Sequence, residues 1–426
     1  MTSAPPLTPA LLTEPAPTAD MPPLDAWLYR HQSSGAMCMT AGLLAWFTGS
    51  PPALPELRAL AEDRWKRHMR LTLTPACEVA PDAWPRWAGE PGFAVDHHVL
   101  EEKPVTSLRI RVAQLLAQPL GPGRPPWQLH LLPTAGGFAL LLRTHHALLD
   151  GKSMVSLVCG LLDGRPERPG LLRRPLPEGT SSRRAALARA LADALPRARP
   201  LPFHGPVDAR RAVGWSRVTR DELGIARDSL ASGRASANAV FLAATAGALR
   251  SAGLMGRLPL LPGVCAMVPV DVRAPGEAVV LGNHYATVRV PLPARRRPEQ
   301  RLAALDRFTR RAALHRRARA QALLVSSRPH RPSALGDALG RYADSPLYSS
   351  LLCSSVATHL GPLTLNDAQL TGMSGLSPLS PGHPLALTMT LHDTEVTVTA
   401  VTDHAHRDLA ARLPALIRDE IRALRP

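Results

Sequence analysis

The segment 144–151, Thr144-His145-His146-Ala147-Leu148-Leu149-Asp150-Gly151, joins an apolar run to an Asp-Gly turn. Just before it, 138–144 (FALLLRT) reads as a strand, and 128–133 is a second such run. Gly136-Gly137 lies between the two, where a hairpin would turn. Just after it, 151–162 begins a helix. The histidine pair therefore ends a buried strand, which fixes an imidazole at the strand's mouth. Neighbouring strand residues point to opposite faces, so the two rings serve different sides. Gly151 at the turn admits a positive φ and close approach of a substrate. Imidazole, with an ordinary pKa of roughly 6.5, is the obvious general base at neutral pH. For the pair taken alone, the alternative is that one ring caps the strand and the other fills the core.

Outward from this segment the chain alternates strands and helices. Ahead of it, 24–30 (LDAWLYR) starts a helix with Asp25 near its cap, and 37–47 (MCMTAGLLAWF) suits a buried strand. The stretches 54–69 and 105–117 read as helices. Between about 164 and 206 the composition shifts to Arg, Pro and Ala. Within it, 183–195 puts Leu187, Leu191 and Leu195 on one stripe, bracketed by prolines as a crossover would be. The second half opens with an apolar helix at 236–251 and strands at 264–270 and 285–292. A long Arg-rich helix follows at 301–324, with Leu302, Leu305 and Phe308 facing inward. An antiparallel pair at 384–391 and 395–402 and a helix at 408–423 close the chain. The pattern predicts an α/β fold of two lobes: a disordered leader at 1–20, a first lobe at 21–177, a crossover at 178–205 and a second lobe at 206–426. Two lobes of similar size leave a cleft between them, where ligands usually bind.

The chain has 426 residues, 45% apolar and 20% charged, enough for a substantial core and incompatible with wholesale disorder. Its five cysteines are far apart and never form a CxxC pair, which points to a reducing compartment and away from structural zinc. His97-His98 and His404-x-His406 lack a third ligand nearby, so no metal is expected. The net charge of +16 comes almost wholly from arginine, with lysine only at 66, 103 and 152. Such a charge suits a phosphate-bearing ligand or a lipid surface. No nucleic-acid motif or aromatic stacking platform accompanies it, so nucleic acid is not expected as a partner. The first 20 residues lack the basic and apolar regions of a signal peptide. The longest apolar runs fall short of the roughly 20 residues that span a bilayer. The expected location is cytoplasmic, at most peripheral on the inner membrane face. Walker A, GxGxxG and GxSxG patterns are absent.

Strand, HHxxxDG and helix together resemble the CoA-dependent acyltransferase superfamily, which includes chloramphenicol acetyltransferase and nonribosomal condensation domains. The finer likeness is to the bacterial wax ester synthase/diacylglycerol acyltransferase family. Further blocks are similar to that family's and follow in its order: 93–99 (FAVDHHV), 125–130 (PPWQLH), 237–250 and 268–292 (VPVDVR…LGNHYATVRVPL). The likeness runs from about Leu24 to Leu416. Two blocks depart: Asn238-Ala239 stands where the family has Asn-Asp, and 354–359 (SSVATH) replaces an S-N-V-P-G-P turn.

The resemblance implies mixed sheets with flanking helices, a central tunnel, and transfer of a fatty acyl group from acyl-CoA to a long-chain alcohol or diacylglycerol. His146 would take the proton of the acceptor hydroxyl as it attacks the thioester, and the thiolate would leave without a covalent enzyme intermediate. Asp150 would orient the turn by pairing with Arg273, with Gly151 in support. His145 is assigned to structure, substrate contact being its other reading. Asn238, Asn283, Ser354 and Ser355 are candidate substrate or oxyanion contacts, and Trp127 packs beneath the strand with a second reading as substrate wall. No cofactor is expected to be permanently bound. The partners implied are acyl-CoA, its acceptor and a membrane or lipid-droplet surface. The alternatives are acylation of a natural-product hydroxyl or amine from CoA or a carrier protein, and a catalytically silent binding relative.

Overall fold

The computed structural model describes residues 18–33, 39–76, 83–89, 94–104, 106–164, 183–195, 198–255, 263–274, 280–327, 331, 334–358 and 361–425. Two six-stranded sheets carry it. With strands numbered along the chain, the first sheet runs β12 (Thr364–Leu365), β13 (Ala368–Leu376), β2 (Thr40–Thr48), β7 (Gly137–His145), β6 (Trp127–Thr134) and β5 (Val99–Glu101). The second runs β10 (Tyr285–Pro291), β9 (Cys265–Asp271), β11 (Leu351–Ala357), β14 (Leu385–Leu391), β15 (Glu395–Asp403) and β8 (Arg211–Thr219). A small third sheet, β1 (Ala19–Asp20), β4 (Arg86–Gly89) and β3 (Leu73–Pro75), packs on the first-lobe core through Trp87. Strand β7 is buried along nearly its whole length. A strand covered on both faces reads as a continuous apolar run rather than an alternation, which is why FALLLRT stands out.

Helices α1 (Pro23–Ser33), α2 (Leu54–Trp65), α3 (Leu108–Ala117) and α4 (Gly151–Gly160) belong to the first lobe. The second lobe holds α6 (Arg220–Asp228), α7 (Ala237–Ser251), α8 (Pro298–Thr309) and α11 (Arg407–Ala423). Helix α7 is apolar all round because α6, α8 and α11 enclose it. Helix α5 (Arg183–Ala194) packs on α9 (Arg311–Ser326) through Ala186, Ala190 and Ala320, and α10 (Ala334–Ala343) brings Gly340 against Trp27 of α1. Leu44 and Leu141 of the first sheet share a core with Val213 and Val401 of the second, so the lobes are joined by apolar packing.

Five expectations are corrected. First, the lobes are not consecutive segments: β12 and β13, from the stretch assigned to 206–426, pair into the first sheet, with Gly372 opposite Trp46. This strand carries polar and glycine residues because the sheets meet there. Ser374 bonds to Thr399, the Gly375 amide donates to Thr390 Oγ1 at 2.8 Å, and a Cβ on Gly375 would lie 2.9 Å from a Thr388 methyl. Second, Ala19–Asp20 of the leader pairs with β4, while 1–17 lie outside the described residues. Third, the helix expected over 301–324 breaks at Arg310, whose extended ψ of 128° lets α9 turn onto β10 and α5. Fourth, Leu191 and Leu195 are exposed, because α5 buries its alanine face instead; the side chain of Leu187 lies outside the described residues. Fifth, the helix expected over 54–69 ends at Trp65, and a 3₁₀ turn at Met69–Thr72 carries Arg70 toward the end of β7.

Candidate active site

Strand β7 ends at His145, whose amide donates to the Pro126 carbonyl at 2.9 Å. Its ring is buried against Tyr29, and Nδ1 accepts the Ala147 amide at 3.0 Å. That bond places the ring proton on Nε2. Burial, with the neighbouring His146 adding to it, lowers the His145 pKa to about 3, so this imidazole stays neutral. The His146 amide donates to the Met39 carbonyl at 2.8 Å, and its half-buried ring turns the other way. There it stacks on Tyr285 at 5.7 Å and lines a cavity of about 2510 Å³ bounded by residues of both lobes. Burial pushes the His146 pKa below the ordinary imidazole value, against the opposing pull of Asp150 and Asp25. A neutral imidazole facing open space is what proton abstraction requires.

Asp150 caps α4, accepting the Ser153 amide at 2.8 Å on Oδ1. The Arg273 guanidinium also donates to Oδ1 at 3.0 Å and pairs with Oδ2 at 2.9 Å, and the His284 amide adds a bond to Oδ2 at 3.0 Å. Both carboxylate oxygens are thus committed to the turn and to the second lobe. Ser153 Oγ extends the junction, accepting from Arg273 at 2.8 Å and from the Gly282 amide at 3.1 Å and donating to the Gly282 carbonyl at 3.0 Å. Gly282 sits at φ +126°, a conformation that favours glycine. Lys152 reaches Asp271 at 2.6 Å, a second bridge between α4 and β9. Gly151 differs from expectation. It is the first residue of α4 without a positive φ, and a Cβ there would meet nothing within 4 Å, so neither the backbone nor the packing requires a glycine.

The wax ester synthase/diacylglycerol acyltransferase catalytic domain matches residues 21–304, and the WS/DGAT C-terminal domain matches residues 281–425. This chain belongs to the wax ester synthase/diacylglycerol acyltransferase family. A Mycobacterium bovis protein bearing the name diacylglycerol O-acyltransferase is 30% identical to it over 388 residues, covering 79% of this chain and 74% of that one. Among solved structures, the wax ester synthase/diacylglycerol acyltransferase of Marinobacter aquaeolei superposes with a TM-score of 0.66 at 18% identity, over 95% of this chain and 98% of that one. The trichothecene 15-O-acetyltransferase of Fusarium sporotrichioides reaches 0.69 at 13% identity, over 99% and 100%. These two likenesses establish the two-lobed acyltransferase fold. As a member of the family, the chain is an acyltransferase that acts on an alcohol or diacylglycerol hydroxyl.

The remaining candidates of this acyltransferase fall on both sides of the cavity wall. Asn283 is already engaged: its Nδ2 donates to the His146 carbonyl at 2.7 Å, the Ala147 carbonyl at 2.9 Å and Asp25 at 2.9 Å. It holds the turn, and its amide hydrogens are not spare for an oxyanion. Trp127 is fully buried, stacked on His98, with its indole N–H on the Leu71 carbonyl at 2.9 Å; it is core, away from the cavity wall. Asn238, Ser354 and Ser355 do line the cavity, and Ser355 donates to Asn238 at 3.2 Å. Ala239 is fully buried in α7, its amide capped by Ser236, a place where an aspartate side chain would enter the core. Of the departing turn, Thr358 bonds to His392 and the Leu391 carbonyl, and His359 lies outside the described residues. Among the described residues no group of three His, Cys, Asp or Glu side chains has metal-binding geometry, and no helix is long and apolar enough to cross a membrane.

Sequence reasoning missed Asp25 and Arg70 as site residues. Arg70 donates to the carbonyls of Ala147 at 3.0 Å and Leu148 at 2.9 Å and pairs with Asp25. The available signal, an Asp in a helix's first turn, reads as ordinary capping, and nothing in the sequence ties it to residues over a hundred positions away.

Proposed function

We propose that this acyltransferase moves a fatty acyl group from acyl-CoA to the hydroxyl of a long-chain alcohol or diacylglycerol, with His146 as the general base. The reading is carried by the orientation of His146 into the cavity while His145 and Asp150 are committed elsewhere. The acceptor's O–H proton passes to the imidazole as its oxygen attacks the thioester carbonyl. The tetrahedral adduct then expels the CoA thiolate, which recovers that proton from the imidazolium. Asp150 and Asp25 favour the transient positive charge. The acyl-CoA assignment is supported by the starter condensation domain of rhizomide synthetase, a solved structure in complex with C8-CoA and Leu-SNAC whose TM-score to this chain is 0.63, at 15% identity over 96% of each chain.

Thiol release from palmitoyl-CoA is the test, with a panel of alcohols, diacylglycerol and amines. Release that depends on an alcohol or diacylglycerol and falls roughly 10²–10⁴-fold in His146→Ala is the expected result. Release with amines alone, or undiminished in the variant, overturns the reading. Contact with a lipid surface belongs to the same proposal, because Leu191 of α5 and Leu195 just past its end stand exposed, as does Arg184 in its first turn. Co-sedimentation with phosphatidylglycerol vesicles should be lost in a Leu191→Asp/Leu195→Asp variant; equal binding by that variant removes α5 from the contact.

A further inference from the structure

Three segments remote in sequence converge beneath the main-chain carbonyls that follow the catalytic histidine. Asp25, in the first turn of α1, is 2% exposed. Its carboxylate accepts from Asn283 Nδ2 at 2.9 Å, from Trp87 Nε1 at 3.4 Å and from Arg70. Among the described hydrogen bonds it takes no amide of its own helix, so capping does not account for its burial. Each of its two main partners turns its other donors onto the motif. Asn283 holds the carbonyls of His146 and Ala147, and Arg70 those of Ala147 and Leu148. Asp25 therefore anchors the two clamps that hold the turn's carbonyls, alongside the Asp150–Arg273 pair that holds its carboxylate.

We propose that Asp25 is a positioning residue for His146, acting through Asn283 and Arg70; the inference rests on the reading of His146 as the base. Its carboxylate sets where both donors point, and they set the main chain from which the imidazole projects. Its charge also acts on the ring. The groups facing His146 are Tyr285 stacked upon it, His145 beside it, His284, Asp150 with Arg273, and Asp25 with Arg70. Of these the two carboxylates favour the imidazolium.

The test follows thiol release from palmitoyl-CoA with hexadecanol across pH, using the full chain and the variants Asp25→Asn, Asn283→Ala, their double and His146→Ala. Each single variant at 25 or 283 should lower kcat roughly 10–100-fold while KM for either substrate stays within about twofold, as expected of misplaced chemistry rather than lost binding. Asp25→Asn should also move the acid limb of the kcat profile to lower pH, since a charge that favours the imidazolium is gone; Asn283→Ala keeps that charge and leaves the limb in place. The double variant should be no slower than the slower single. A wild-type kcat in Asp25→Asn, or losses that multiply in the double, overturns the positioning role while an inactive His146→Ala leaves the base in place. If Asp25→Asn does not fold, a wild-type kcat in Asn283→Ala overturns it alone. An active His146→Ala removes the underlying reading instead.

Discussion

Two arginine–carboxylate pairs of nearly equal burial lie in different parts of this acyltransferase. Arg273 and Asp150 have side chains 2% and 6% exposed, and Arg301 and Glu420 have side chains 1% and 14% exposed. The second pair is local. Arg301 donates to carbonyls of Ala243 in α7 and of Arg295 and Arg296 ahead of α8, and it meets Glu420 of α11 across Gly247, where a Cβ would strike the Glu420 carboxyl at 2.3 Å. All its partners belong to one lobe. The first pair spans the lobes and ends on the turn that presents His146. Burial disfavours charge at both ends of the Arg301 pair, pushing Glu420 up and Arg301 down. The comparison teaches that a buried ion pair is not functional by its energy, which both pairs share, but by what it immobilises.

The largest effect that would break this comparison comes from Arg273→Ala. It leaves Asp150 buried without its cation, which costs about 3–5 kcal/mol when one partner is removed. It also frees the motif turn, so turnover should fall roughly 100-fold as the base is displaced. Denaturant unfolding and thiol-release kinetics on the folded fraction read the two losses separately. Full activity in Arg273→Ala would show that the turn is held without the second lobe.

A smaller effect is expected of Arg301→Ala. Its stability loss should again be about 3–5 kcal/mol, since Glu420 is left largely buried without its partner. Per folded molecule, kcat and KM should match the parent, because among the described residues no bond of Arg301 reaches the cavity wall around His146. A kinetic defect measured after correction for unfolded protein would erase the distinction between the pairs.

The sequence made legible what depends on local pattern. FALLLRT, the Gly-Gly hairpin, the apolar α7 and the paired strands at the C-terminal end carry apolar runs, alternation or turn signals strong enough to locate them within a residue or two. The HHxxxDG segment located an imidazole at a strand's end, and the family blocks led to the partner of Asp150, Arg273. Illegible were the features set by tertiary exchange. Strand β13 (AQLTGMSGL) crosses to the first sheet with small and polar residues that carry no strand signal. Arg70 sits in a 3₁₀ turn that the pattern merged with a helix, and Asp25 is identical in sequence to any first-turn acid. Asn283 reads in sequence as a substrate or oxyanion contact, whereas its amide nitrogen is taken up by the His146 and Ala147 carbonyls and by Asp25, 258 positions away.

The smallest effect sharpens the comparison through pH. Burial holds the His146 pKa below the ordinary imidazole value, so the base proposed here is neutral at pH 7 and is lost only when acid protonates it. The acid limb of kcat/KM, which reports the free enzyme, should therefore lie below roughly pH 6.5. Removing a nearby cation favours the imidazolium and raises that pKa. Arg273→Ala should accordingly move the limb toward neutral pH in its residual activity, because Asp150 then acts on His146 without the charge that balances it. Arg301→Ala, whose partners lie within the second lobe, should leave the limb where the parent has it. Equal shifts in the two variants would mean that the ring senses the net charge of the molecule, and the special standing of the pair between the lobes would then rest on geometry alone.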